Sequence, residues 1–213
     1  MSGLQTATAR SHQGFTLIEL TVVLAVIVTL ALTLTPSISG IINDSRMARA
    51  RTDCQTLTSA IVQFYRDNGF YPSWKVAQNG GPGLPANRLQ LLVSPGNAAT
   101  EDQPSPWTTG VAGLFADQLL TDGPGYGLRT PTSQNGWNGP YLSSEINPDP
   151  WGNRYVINID LIDSSASPTT RSGGVKMAVW VLSAGPNGII ETPFRQSILS
   201  AALAGDDIGT RLQ

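Results

Sequence analysis

Gly14-Phe15-Thr16-Leu17-Ile18-Glu19-Leu20-Thr21-Val22-Val23-Leu24-Ala25-Val26-Ile27-Val28-Thr29-Leu30-Ala31-Leu32-Thr33-Leu34 decides what kind of chain this is. From Phe15 to Leu34 the only ionisable side chain is Glu19. At ~1.5 Å rise per residue, a helix of that length covers about 30 Å, the hydrocarbon thickness of a bilayer. A carboxylate in such a helix costs up to about 3 kcal/mol at the bilayer centre and less near an end. Such a charge calls for a partner. A positive group on a neighbouring copy of the chain, such as a free amino terminus, would answer it.

The conjunction of Gly14, the aromatic Phe15, Glu19 and an uninterrupted apolar run resembles the class III signal of type IV pilins and type II secretion pseudopilins. The resemblance implies that a membrane aspartyl peptidase, the prepilin peptidase, cuts between Gly14 and Phe15 and methylates the new amino terminus at Phe15. It implies that Glu19 is the assembly residue, neutralising the terminal amine of the adjacent subunit in a helical filament. The competing interpretation is an ordinary signal anchor that happens to hold a glutamate. Residues 1–14 are polar, carry Arg10 and His12, and lack the apolar core of a secretory signal peptide, so a cut after Gly14 leaves the membrane helix on the mature chain. Arg10 and the positive-inside bias put this leader in the cytoplasm and the remainder outside.

Moving outward, Pro36 removes a backbone donor and crowds the carbonyl four residues earlier, and Gly40 adds a second weak point. Similar pilins carry a proline in this place. One helix kinked at Pro36 and two helices divided at Ser37 both remain open. Beyond it, Ile38, Ile41, Ile42, Ala48, Cys54, Leu57, Ile61 and Phe64 fall three or four apart, the period of an amphipathic helix with one buried face. Cys54 lies on that stripe, which predicts a buried, inert thiol. Asn68-Gly69, with Pro72 shortly after, supplies the stop.

The 213 residues are 40% hydrophobic and 13% charged with a net charge of −2, and the only basic cluster is Arg46, Arg49 and Arg51. That balance excludes a nucleic-acid partner. With 22 glycines and 15 prolines, most of them after Gly69, residues 70–213 read as one small, loop-rich domain. One cysteine permits no internal disulfide, although the chain is expected to be exported. Many type IV pilins close a C-terminal loop with a disulfide. Secretion pseudopilins often lack it and fasten that region with calcium.

Asp67-Asn68-Gly69-Phe70-Tyr71-Pro72 and Leu89-Gln90-Leu91-Leu92-Val93 are similar to segments of the major pseudopilin of type II secretion, and the second is expected to be a short helix. Residues 94–136 look like an insertion, with a short helix at the island Leu114-Phe115 and Leu119-Leu120. Trp137-Asn138-Gly139-Pro140-Tyr141-Leu142 and Asp149-Pro150-Trp151-Gly152-Asn153-Arg154-Tyr155 also resemble that protein's signature. In the second block, Pro150 and Gly152 predict a tight turn that frees Trp151 to pack on the helix. Tyr155, Ile157, Ile159 and Leu161 alternate as a half-buried strand, and a polar connection (164–174) leads to a second strand, Val175 to Leu182. The two should pair antiparallel.

Leu182-Ser183-Ala184-Gly185-Pro186-Asn187-Gly188, then Glu191, then Gly205-Asp206-Asp207-Ile208-Gly209, resembles the pseudopilin loop that wraps calcium. The resemblance implies a site made from Asn187, Glu191, Asp206 and Asp207, with Asn187 standing where many members have aspartate. Calcium takes six to eight oxygens from a flexible loop. A solvated acidic turn without metal is the competing interpretation.

The expected architecture is α+β, a pilin fold. A leader (1–14) precedes a membrane and polymerisation helix (15–36), its amphipathic continuation (37–69) and a globular domain (70–213) in which the helix packs on a small antiparallel sheet. No phosphate loop or nucleophile elbow is present, and the sole histidine lies in the leader, so no enzyme is indicated. The expected role is a structural subunit of a type II secretion pseudopilus. Its partners would be copies of itself and other pseudopilins, the prepilin peptidase, the inner-membrane assembly platform and membrane lipid, with the globular domain in the periplasm. A type IV pilin or minor pilin of a surface fibre is the alternative. A membrane-anchored binding module that never polymerises is a third, against which the buried Glu19 argues.

Overall fold

In a computed structural model of the chain, residues 14–78, 81, 83–101, 105–130, 132, 135–162 and 176–212 are described. The leader residues 1–13, and with them Arg10 and His12, lie outside this set, as does most of the polar connection 164–174 together with Val175. Two units divide the chain, Met1–Asp44 and Ser45–Gln213. Helix α1 (Leu17–Asn68) contributes to both and is continuous through Pro36, so no second helix starts at Ser37.

Within the first unit, the large apolar residues from Phe15 to Leu32 are 51–88% exposed, and α1 is the one described helix long and apolar enough to cross a membrane. Its threonines are reconciled with an apolar setting by bonding backward. Thr21 Oγ1 donates to the Ile18 carbonyl (2.8 Å), Thr29 Oγ1 to Val26 (2.9 Å) and Thr33 Oγ1 to Leu30 (2.9 Å). No hydroxyl is left seeking water.

In the second unit α1 buries Ala50, Cys54, Leu57, Ala60, Ile61 and Phe64 in the same core as the sheet. The stripe is thus narrower than the sequence implied. Ile38, Ile41 and Ile42 are 53, 68 and 46% exposed, and Ala48 is exposed too, while Ala50 and Ala60 take core places. Small residues there let the sheet approach the helix closely. The helix stops as expected, with Gly69 at φ 78° and its N–H reaching the Tyr65 carbonyl (2.8 Å).

The sheet runs in the order β2–β1–β3–β4–β5, with β1 Leu91–Val93, β2 Ala112–Leu114, β3 Val156–Ile157, β4 Trp180–Ser183 and β5 Ile208–Arg211. All neighbours are antiparallel except β1 and β2, so the sheet is mixed where an antiparallel one was expected. Leu89–Val93 is not a helix. Leu91, Leu92 and Val93 are all buried, and β1 has a strand on each side, the setting in which a strand reads as an unbroken apolar run. Strand β3 ends early because Asn158, fully buried, takes over the ladder. Its Oδ1 accepts from Trp180 N (2.7 Å) and its Nδ2 donates to the Ala178 (3.2 Å) and Phe194 (2.9 Å) carbonyls. The chain then turns into a 3-10 segment, Ile159–Leu161, rather than continuing as a half-buried strand.

Residues 94–136 form part of the core. Between the short helices α2 (Pro106–Thr109) and α3 (Phe115–Leu119), the second at the expected island, Trp107 and Phe115 are almost fully buried, and Tyr126 follows them inside. Phe64 of α1 is ringed by edge-on contacts with Tyr126 (4.9 Å), Tyr141 (5.4 Å), Phe70 (6.0 Å) and Trp137 (6.1 Å). Asp149 organises the turn that follows. Buried at 3% exposure, it accepts from Trp151 N (3.0 Å), Asn153 N (2.8 Å) and Ser183 Oγ (2.7 Å). Arg49 Nη2 donates to the Pro148 carbonyl (3.0 Å) and the Tyr155 hydroxyl donates to Asp53 Oδ2 (2.8 Å), tying that turn to α1.

Candidate functional site

The first site is the start of α1. Thr16 and Glu19 form a capping box: Glu19 N donates to Thr16 Oγ1 (3.3 Å), while Thr16 N and Thr16 Oγ1 both donate to Glu19 Oε2 (3.1 Å each). Helical geometry explains it, because residues three apart share a face at a helix start and the first N–H groups have no partner within the helix. A carboxylate there also meets the positive end of the helix dipole. Before any neighbour is present, Glu19 is therefore held by its own chain. The signal was legible as Thr-x-x-Glu ahead of an apolar run and was missed because the glutamate was considered only for a partner elsewhere. Phe15 is 88% exposed, and Gly14 has open space around its Cα.

The second site lies in the C-terminal part of the globular unit, where the fold brings Asn187, Glu191, Asp206 and Asp207 together from two segments of chain. Asn187 N donates to Asp206 Oδ2 (3.1 Å), Asn187 Nδ2 to Glu191 Oε1 (3.3 Å) and Asp206 N to Glu191 Oε2 (3.1 Å). Asp207 Oδ2 accepts from Glu191 N (3.0 Å) and Thr192 N (2.7 Å). Gly185, at φ 66°, makes the close approach possible, because a Cβ there would run into the Asp206 carbonyl.

Two carboxylate oxygens in this cluster, Asp206 Oδ1 and Asp207 Oδ1, are buried without a hydrogen-bond partner. Burial pushes the Asp207 carboxyl above the usual range, hydrogen bonds from Thr192 and Glu191 oppose the shift, and the Glu191 charge adds to it. Among the described residues no group of three His, Cys, Asp or Glu side chains stands in metal-holding geometry. The donors at hand are a pair of orphaned hard oxygens, an amide and backbone carbonyls, which fits the chemistry of a hard divalent cation with a mostly neutral shell.

Cys54 belongs to neither site. It is fully buried, and burial, followed by the nearby Asp53 and Asp149 charges, pushes its thiol up to about 12.

Residues 9–35 match the family model described as the prokaryotic N-terminal methylation motif. No curated protein and no solved structure matches the chain. The motif supports a type IV pilin-like protein, processed by a prepilin peptidase, anchored by its apolar helix and assembling with like subunits.

Proposed function

We propose that the chain is a structural subunit of a membrane-derived filament, and specifically a pseudopilin of a type II secretion system. It is cut between Gly14 and Phe15, methylated on Phe15, and polymerised through α1 with its globular unit in the periplasm. The observation that carries the proposal is a lone carboxylate, Glu19, in the first turn of an otherwise apolar helix within the methylation motif. Held by Thr16 in the free subunit, the carboxylate transfers to the terminal amine of a neighbour as subunits join. Copies of the chain and other pseudopilins are the partners, the assembly platform admits them, and no nucleic acid is involved. The role is mechanical rather than catalytic.

The secretion assignment rests on the resemblance of 67–72 and 149–155 to major pseudopilins and on a chain with one cysteine, which has no disulfide to close its C-terminal region. A surface pilus remains the second reading. Calcium is part of the proposal: Asp206 and Asp207, with Asn187, Glu191 and loop carbonyls, would hold it. There it would neutralise crowded carboxylates and tie the segment after β4 to the sheet.

The experiment is purification of membrane-extracted protein followed by intact-mass analysis, with negative-stain microscopy of cells expressing the assembly machinery. A chain beginning at methylated Phe15 and filaments abolished by Glu19→Ala are expected. A mature chain that retains residues 1–14 would sink the proposal.

A further inference from the structure

The two edges of the sheet carry complementary features. Beside β5, the chain from Gln196 to Gly205 has no charged residue. This loop is built rather than slack. Gln196 clamps Ala202 from both sides, its Nε2 donating to the carbonyl (3.0 Å) and its Oε1 accepting from the N–H (2.8 Å). Ser200 N reaches the Ser197 carbonyl (3.1 Å), Leu199 N reaches Ser197 Oγ (3.2 Å), and Arg211 Nη1 of β5 holds the Ile198 carbonyl (3.2 Å). Ile198 and Ala201 turn inward against the core. Leu199 is thereby thrust outward at 87% exposure, the most exposed large apolar residue described in the Ser45–Gln213 unit.

The other edge is β2. Val111 and Leu114 are each 41% exposed there. Beside them an open groove of about 360 Å³ is lined by Leu89, Ala112, Gly113 and Pro124, with Lys75 and Asp117 also contributing. Gly113 keeps that groove open, because a Cβ on it would collide with Leu89.

We propose that these are the two halves of one lateral contact between copies of this chain, Leu199 of one copy seating in the β2 groove of the next. The inference rests on the filament proposal and adds the surface by which neighbouring globular units meet. Single exposed leucines are ordinary. A leucine held out by a fully bonded loop is different, because its docking costs little ordering of the loop. An uncharged knob also strands no ion when covered. Because knob and groove occupy opposite edges of one sheet, the contact is heterologous, and a heterologous contact that does not close into a ring propagates along a filament. It covers far less than the ~1,200 Å² of a stable independent interface, so it sets the register of units already gathered by α1.

The test uses the full chain with its assembly machinery, carrying Leu199→Cys and Ala112→Cys together and treated with a short bifunctional maleimide. Both positions are exposed and Cys54 is buried, so folding and background labelling are little affected. A ladder of dimers, trimers and higher multimers is expected, absent from either single variant and lost when Glu19→Ala is added. Leu199→Asp should shorten filaments several-fold with an unchanged melting temperature. Normal filaments without a ladder would overturn the contact and leave the filament proposal standing. Dimers from Leu199→Cys alone would overturn it too, since they mean knob meets knob. Failure of the unmodified chain to form any filament would remove the proposal on which the contact depends.

Discussion

Asp207→Asn separates two roles of one side chain. In the structure Asp207 Oδ2 accepts from Glu191 N and Thr192 N, while Oδ1 is buried without a partner. An amide can keep the acceptor role and shed the charge, whose burial is unfavourable by the direction of the carboxyl shift. In chelator, the Ser45–Gln213 unit carrying Asp207→Asn should therefore melt at or slightly above the unsubstituted unit. Calcium reverses the order. Binding to the folded state alone adds RT ln(1 + [L]/Kd), about 2.7 kcal/mol at a hundredfold excess over Kd. For a unit of this size that is a rise of roughly 5–10 °C in Tm. Differential scanning calorimetry with millimolar calcium should show this rise for the unsubstituted unit and little for Asp207→Asn. Asp207→Ala should melt lower than either in both conditions, because it strands two buried donors. Magnesium should substitute poorly, since it demands a tighter octahedral shell. Superimposable curves in calcium and chelator would refute the metal, and a calcium response retained by Asp207→Asn would refute the ligand assignment.

Other expectations follow from the remaining sites. Glu19→Gln keeps an acceptor for Thr16 yet loses the charge, so it should insert and be processed but fail to polymerise, because a terminal ammonium left unpaired in an apolar bundle costs about 3–5 kcal/mol; electron microscopy and mass analysis read both outcomes. Gly14→Leu should leave the precursor uncut on a denaturing gel. Asp149→Ala strands three donors from the 151–153 turn and β4 and should cost the globular unit about 3–5 kcal/mol in urea unfolding, whereas a loss below ~1 kcal/mol would show that water replaces the carboxylate. Cys54, its thiol pushed up from 9.0 to about 12, should resist alkylation at pH 8 until the chain unfolds. The folded chain keeps that proton between these values and the unfolded chain gives it up, so stability falls as pH rises across the window, by about 1.4 kcal/mol per unit, and Cys54→Ala should flatten that decline.

Local signals told the truth where one short-range cause dominates. The apolar run, the Asn68-Gly69 stop, the buried thiol and the turn at Asp149 each depend on a few neighbouring residues. Elements whose identity depends on distant partners were misjudged. Leu91–Val93 became a strand because β2 and β3 flank it, and nothing within those three residues says so. Strand β3 was expected to continue to Leu161 because periodicity cannot show that the Asn158 side chain takes hydrogen bonds from β4. The apolar stripe of α1 was drawn too wide because Ile38, Ile41 and Ile42 keep the same spacing whether the sheet reaches them or not. At the sites, Asn187, Glu191, Asp206 and Asp207 were named from a resemblance, and their convergence needed the fold. The capping of Glu19 by Thr16 needed only three residues of sequence.

Trp107 shows what the order of synthesis means for this chain. Its indole N–H is satisfied by the Thr192 carbonyl (2.8 Å), and its ring stands edge-on to Phe194 at 5.0 Å. Thr100 likewise exchanges backbone hydrogen bonds with Gly188 and Ile190. Each contact joins residues about ninety positions apart, so half of every pair leaves the ribosome well after the other. Until the later half arrives, a large aromatic ring and several backbone donors wait without their places in the core. Docking of the 188–194 segment thus acts as a completion mark. A truncated chain would keep its membrane helix but present an open, protease-sensitive flank, and quality control could sort it from finished subunits before it reached a growing polymer.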